Sequence, residues 1–377
     1  MKINEIGWWK PLNARIMQAD RNVKIIEPNR PTLSKQELES VLNCLIQDQL
    51  GPGKIVQKFE RLFTRTFSYD HSVAVNSLTS AYHLAFQALN IQKGDKIVMS
   101  ALAPVQAYDS ARYMGADILL LDVERNSFHP SADSLTACIH ENSRNERPIV
   151  LILDHAFGSP SPFDPSALSE KNIHVVEDFT TMLGSEKSGT YFGKCGDISV
   201  CGFSPEDMIT TGNGAMIVTS NNKLFKNITG MLYSSERTPN SISYDYQLSD
   251  FQAAMGLEQL SHLGITLSRR RKIGMKYLET ILATRHETYF HGPTIDTYLK
   301  FPVLINQNHD QMLRYFNSLH IGVNRAIKYP LHHLLNLPRM QFPNAERLYQ
   351  KSLALPIYPN LTANNVERIS SALRGLI

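Results

Sequence analysis

The stretch GFSPEDMITTGNGA, residues 202–215, is built like a catalytic loop. An apolar run ends at Gly202-Phe203, Pro205 stops it, and a polar turn leads into a second apolar run, Ala215 to Val218. At its centre stand two neighbouring carboxylates, Glu206 and Asp207, and a carboxylate so placed can act as a base. Asp178 closes the run VVED, where aspartate serves either as a cap or as a site residue. Thr79, in NSLTS, can cap the helix that follows, and His155, in HAFG, suits a pocket or a satisfied core position. His332 and His333 sit side by side in YPLHHLL, a spacing that is not a metal motif. Ser-His-Asp groupings, a P-loop and a GxGxxG signature are all missing from the sequence.

The elements that must position these residues alternate. Seven short β-rich runs (SVAV, KIVMSAL, ADILLLDV, PIVLILDH, IHVVED, DISVCGF and GAMIVTS) are separated in several places by helical stretches such as TSAYHLAFQAL and VQAYDSARYMG. Near-continuous apolar strands with intervening helices predict an α/β fold with a mainly parallel seven-stranded sheet covered on both faces. Ligands of such sheets bind at the C-terminal strand ends. Asn76 to Thr79, His155 to Gly158, Asp178 and the 202–215 loop all fall there. Ahead of the sheet, TLSKQELESVLNCLIQ carries a helix start signal at Thr32 or Ser34, and GPGKIVQKFERLFTRTF opens on a turn and continues as an amphipathic helix. From Leu248 one long helix is expected, ending in a basic cluster, Arg269 to Lys272, that reads as a solvated face. The expected division is an N-terminal segment 1–34, irregular and proline-punctuated, packing with the small domain; a large domain 35–260; and a smaller α+β domain 261–377.

Composition excludes several classes. A net charge of +3, 42% hydrophobic and 19% charged residues point to neither a nucleic-acid nor a membrane surface. No apolar run approaches the roughly 20 residues needed to span a bilayer. The start, MKINEIGWWKPLNARIMQ, lacks the continuous apolar segment of a signal peptide. Cys44, Cys138, Cys195 and Cys201 show no CxxC spacing and are expected as buried or half-buried thiols of a cytoplasmic protein.

Seven segments, taken together and in order, resemble the DegT/DnrJ/StrS family of nucleotide-sugar aminotransferases, which have the pyridoxal-phosphate (PLP) transferase fold of type I. They are GPGKIVQKFE, VAVNSLTSAYHLAFQALNIQKGDKIV, HAFGSPSPFD, VVEDFTTMLGS, FGKCGDISVCGFSPEDMITTGNGAMIVT, YDYQLSDFQAAMGLEQL and PNAERLYQKSLALPIYPNLT, covering about residue 28 to the end. The resemblance implies PLP as cofactor, a keto-sugar nucleotide as substrate and a homodimer with its sites at the interface, near the helix from Leu248. It places Asp178 on the partner of the pyridine nitrogen and Thr79 on a phosphate-contacting threonine. Other positions depart from the family. Asp207 falls on the Schiff-base lysine, and the sequence has no lysine between Lys194 and Lys223. Gly202 replaces a phosphate-binding serine, Leu78 a glycine, Ala103 a stacking aromatic, and Thr181 a Gln or His. Asp245 replaces an asparagine that reaches the phosphate from the neighbouring subunit. His155 and His332 match positions near the cofactor or substrate.

An aspartate cannot form an imine, so covalent PLP is not expected, and the missing phosphate donors argue against noncovalent retention. The leading expectation is a family member that no longer transaminates and binds a sugar nucleotide or a partner. The alternatives are a PLP- or PMP-dependent dehydratase, in which Asp207 acts as base, and an aminotransferase of polysaccharide or deoxysugar biosynthesis that uses another lysine.

Overall fold

The computed structural model describes residues 25–143, 147–168, 172–233, 242–290 and 296–376. The stretch read above as an irregular, leaderless start, through residue 24, lies outside the described residues. Two helices, α1 (Lys35–Ile46) and α2 (Lys54–Phe67), precede strand β1 (His71–Val75). Ser34 caps α1 through a reciprocal capping box with Glu37, as the helix start signal predicts. In α2, Phe59, Phe63 and Phe67 recur at helical spacing and are all buried in one cluster with Phe203, Met216 and Val218. Burying each ring contributes about 2–3 kcal/mol, and the Phe59–Phe203 contact, 5.5 Å between ring centres, anchors the start of the 202–215 loop.

Alternation then sets in: α3 (Leu78–Ala88), β2 (Lys96–Ser100), α4 (Val105–Met114), β3 (Asp117–Leu121), α5 (Ala132–Asn142), β4 (Ile149–Asp154) and β5 (Ile173–Asp178). A short hairpin, β6 (Glu186–Lys187) and β7 (Thr190–Tyr191), leads to β8 (Ile198–Gly202), β9 (Ala215–Thr219) and α6 (Asn222–Tyr233). The seven-stranded sheet has the order β1-β9-β8-β5-β4-β2-β3. Only β9 runs antiparallel to its neighbours, so the sheet is mainly parallel. Every residue of β4, β8 and β9 is buried, the signature of strands covered on both faces.

Where one long helix is expected, there are two. α7 (Asp250–Ser261) stops at His262, whose φ of −100° and ψ of 2° leave the helical region, and α8 (Leu263–Leu282) begins directly after it. The basic cluster is a solvated face only in part, with Arg269 and Lys272 exposed, Arg271 half-buried and Arg270 buried. Arg270 is only 3% exposed and donates to the carbonyls of Leu299 and Ile357, while Arg269 and Arg271 reach Pro359 and Ser185. The guanidinium groups tie α8 to the chain beyond it. That chain forms β10 (Phe301–Leu304), α9 (His309–Ser318), β11 (Asn324–Arg325), α10 (Leu331–Leu334), α11 (Pro343–Lys351), β12 (Ser352–Leu355) and α12 (Ala363–Arg374), with a three-stranded sheet β10-β12-β11. Ile26 joins the same unit through a parallel bridge to Ile321. All four cysteines are free, and Cys195 is exposed rather than buried. No helix among the described residues is long and apolar enough to cross a membrane.

Candidate functional site

The C-terminal ends of β4, β5 and β8 and the start of α3 surround a cavity of about 420 Å³. Its lining includes Leu78, Thr79, His155, Asp178, Thr181 and Asp207, brought together from six separate sequence positions. Gly202, Ala103, Asp245 and His332 are not among the lining residues.

Asp178 is 3% exposed at the end of β5. Its Oδ2 accepts from the Tyr82 hydroxyl at 2.7 Å and its Oδ1 from the Thr180 amide at 2.9 Å, so the residue caps its own turn and still faces the cavity. Burial pushes this carboxyl above the usual range despite both donors. Asp154 is its register partner on β4, which places both side chains on one face of the sheet. Asp154 is 8% exposed, lines the cavity, and accepts no hydrogen bond from another residue among the described residues. Burial, then the nearby Asp178 charge, raise it to about 7. The sequence reading passed over Asp154; its signal was an acidic residue terminating the wholly apolar run IVLIL at a parallel strand's C-terminal end.

Asp207 is half-buried. Its Oδ2 accepts from the Ser204 amide at 2.5 Å, and its own amide donates to the Ser204 carbonyl at 3.1 Å. Burial lifts it to about 6, with Asp178 adding to the rise and Ser204 and Lys300 opposing it. The loop around it is ordered by its own bonds: Phe203 N–H to Gly214, Thr211 N–H to Phe203, and the Thr210 hydroxyl to Phe203. Gly202 donates its amide to the Thr180 hydroxyl at 2.8 Å. A Cβ at Gly202 would lie 3.0 Å from Asp207 Oδ2 and 3.3 Å from Leu78 Cδ2. The space beside Gly202 is thus filled by Asp207 and Leu78.

Thr79 does not cap α3. Ser77 does, because it has extended backbone and its Oγ accepts from the Ser80 amide, whereas Thr79 already lies in the first turn. Thr79 lines the cavity from that turn. Thr181 donates its hydroxyl to the His155 carbonyl. The His155 ring is 4% exposed; its Nδ1 accepts from the Ser161 amide at 3.0 Å, which leaves the proton on Nε2, 3.2 Å from Glu177 Oε1. The ring is a satisfied core histidine at the cavity wall. Beyond it, Gly158 has φ +94°, and a Cβ there would lie 2.2 Å from Thr297 Oγ1, so HAFG requires its glycine.

Ala103 is buried in the core beneath α3 and α4. Asp245 is exposed, its carbonyl accepting from the Asn76 amide group at 3.2 Å. His332 is fully buried, stacks on Phe342, and shares Glu346 Oε2 with His333 at 3.1 and 2.7 Å. The ligating atoms of these three residues lie within 4.8 Å of one another, a convergence that the adjacent histidines alone do not announce. Among the described residues, Lys300 is the one lysine lining the cavity, paired with Glu206 at 3.2 Å. In sequence it is a single cation between the apolar runs YL and FPVLI.

Comparison with known proteins agrees with this architecture. Residues 31–374 match the family model of the DegT/DnrJ/EryC1/StrS aminotransferases. The chain is 26% identical over 362 residues to GDP-perosamine synthase of Escherichia coli, covering 93% of this chain and 98% of that one. Among solved structures, the aminotransferase TlmJ from Streptoalloteichus hindustanus superposes with a TM-score of 0.82 at 23% identity, over 93% of this chain and 98% of that one. The E. coli GDP-4-keto-6-deoxy-D-mannose-3-dehydratase, solved with bound hydrated PLP, gives 0.82 at 18%, over 93% and 100%. The fold is that of the type I PLP transferases, and the chain belongs to the DegT/DnrJ/EryC1/StrS aminotransferase family.

Proposed function

We propose that this family member binds a sugar nucleotide without carrying out transamination, Asp207 standing where the family has its Schiff-base lysine. The observation that carries this reading is the occupation of the space beside Gly202. A serine Cβ there would lie 3.0 Å from Asp207 Oδ2 and 3.3 Å from Leu78 Cδ2, so it would be accommodated only if those side chains gave way. The residues present therefore do not fit a PLP phosphate. The cavity lining supplies four carboxyls, Asp154, Asp178, Glu206 and Asp207, against one lysine, Lys300, which is already paired with Glu206. What remains is a ligand cavity at the C-terminal edge of the sheet, lined by groups that can hold a polyhydroxyl compound by hydrogen bonds. A second reading, a PLP- or PMP-dependent sugar aminotransferase or dehydratase, is favoured by Lys300, the amine that does reach the cavity.

Purified protein incubated with PLP, reduced with borohydride and analysed by mass spectrometry separates the two. The first reading expects no phosphopyridoxyl-lysine; an adduct on Lys300 would replace it with the second. Asp207→Lys alone should not restore a tight aldimine absorbance, because a loosely held aldehyde lacks the proximity advantage. Adding Gly202→Ser, Leu78→Gly and Asp245→Asn together should improve binding by more than the sum of the single changes.

The same reading includes a cytoplasmic homodimer. Leu38, Leu42, Leu45 and Ile46 form an apolar stripe on α1, each about half exposed or more, on a helix that packs against α7. A second copy of the chain would cover that stripe. Sedimentation at micromolar concentration should give a dimer, and Leu42→Asp should shift it to monomer; a monomeric wild-type chain would remove this part of the proposal.

A further inference from the structure

His332 and His333 occupy the short helix α10, and Glu346 lies in the first turn of α11. Both helices are tied to the same edge of the large sheet. The Leu331 amide donates to the Ala101 carbonyl, just past β2, and the Asn344 and Ala345 amides donate to Asp122, just past β3. These anchors bring His332 Nε2, His333 Nε2 and Glu346 Oε2 within 4.8 Å of one another. Both rings aim Nε2 at the one carboxylate oxygen, at 3.1 and 2.7 Å, with their planes 77° apart. The other oxygen, Oε1, accepts from Gln350 and faces Arg339, so Oε2 is held toward the imidazoles. His332 stacks flat on Phe342, and His333 meets Tyr349 edge-on. Packing therefore fixes both ring orientations.

Two imidazoles and one carboxylate form a donor set suited to a divalent transition metal, whereas magnesium and calcium take oxygen ligands. Ligands of a tetrahedral zinc, at about 2.0–2.1 Å from the ion, stand roughly 3.3 Å apart. The nitrogen-to-oxygen spacings here are a few tenths of an ångström shorter, a gap that small side-chain rotations close. His332 and Glu346 are buried and His333 is half-buried, so an ion enters from the His333 side and water completes its fourth position.

We propose that His332, His333 and Glu346 bind one divalent transition-metal ion of the zinc class, which clasps α10 to α11. Each ring binds through its Nε2 lone pair as the neutral Nδ1–H tautomer. His332 Nδ1 has no hydrogen-bond partner among the described residues, so holding that ring falls to its stacking on Phe342. Leu102 and Pro104, which follow Ala101 in the chain, line the 420 Å³ cavity. A clasped α10, bonded to Ala101, steadies that wall from behind. The clasp is independent of what the cavity binds.

The test uses the full chain, stripped with EDTA and then given equimolar zinc. Metal analysis after gel filtration should find about one zinc per chain. Zinc at about a hundredfold over its dissociation constant should raise the melting temperature by about 3 °C or more. His333→Gln, a change at the half-buried ligand, should weaken zinc binding at least about tenfold. If that variant does not fold, X-ray absorption of the wild-type zinc form decides, with two imidazole ligands expected at about 2.0–2.1 Å. Zinc lost on gel filtration overturns the proposal and leaves the three residues as a hydrogen-bonded tie. Zinc held equally well by His333→Gln, or a spectrum without imidazole, overturns it by placing the ion elsewhere.

Discussion

Glu177 and Asp154 are both buried carboxyls on neighbouring strands of one sheet, yet their environments are opposite. Glu177 accepts from the His155 ring, the amides of Gly193 and Cys195, and the Ser199 hydroxyl. Burial alone would push it up, but these donors outweigh burial and hold it below the usual range. Asp154, one residue further along the paired strands and therefore on the other face, takes no donor from its described neighbours and rises to about 7. The difference separates a carboxylate that builds the protein from one left open toward a cavity. Saturated acceptors point to stability, and an open acceptor beside a cavity points to a ligand.

Removing the saturated carboxylate should have the largest effect. Glu177→Ala leaves a buried imidazole N–H and two amides without their acceptor, and chemical denaturation should show a loss of about 3–5 kcal/mol. A loss under about 1 kcal/mol would mean that Glu177 is not the structural partner its donors imply. Because its folded carboxyl titrates low, its contribution is present above the ordinary glutamate range. That contribution should fade as pH falls through the lowered value.

The next effect belongs to the loop. Gly202→Ser should cost about 1–3 kcal/mol through crowding against Asp207 and Leu78. Part of that cost should vanish in Gly202→Ser/Asp207→Ala, because the two side chains compete for one space. Full additivity would show that Asp207 does not occupy it.

Asp154→Asn should act in the opposite direction. A carboxyl whose folded value is near 7 binds more protons in the native state than in the unfolded state, where it titrates near 3.8. The wild type therefore loses stability as pH rises from about 4 to 7, and relative to pH 4 the variant should gain up to about 4 kcal/mol over the wild type by pH 8. Thermal melts across that range check it; a variant with the wild-type slope would assign the titration to another group. The smallest effect is expected for Tyr82→Phe, about 1 kcal/mol, since Asp178 keeps the Thr180 amide.

Much of this was legible in the chain alone. The seven strands of the main sheet match the apolar runs that suggest them, His71 alone falling outside its run, because strands covered on both faces are mostly apolar. Ser34 was legible as a cap for the same local reason, and HAFG, VVED and the 202–215 loop all lie at the strand ends expected to bear a site. Errors arose where long-range packing decided the outcome. Arg270 reads as surface charge, yet backbone carbonyls of Leu299 and Ile357, distant in sequence, supply its partners. Thr79 lost the cap to Ser77 through a backbone conformation that side-chain identity does not settle.

By itself, then, the sequence determined the sheet, its helices and the absence of a lysine from the 202–215 loop, since these follow from periodicity and residue identity. Only the tertiary structure decided that Asp154 and Asp178 share a face, that Asp207 fills the space beside Gly202, and that Lys300 comes to the cavity from beyond α8. Strand register and through-space contact join residues far apart in the chain, and whether a buried carboxyl finds a donor depends on those joins.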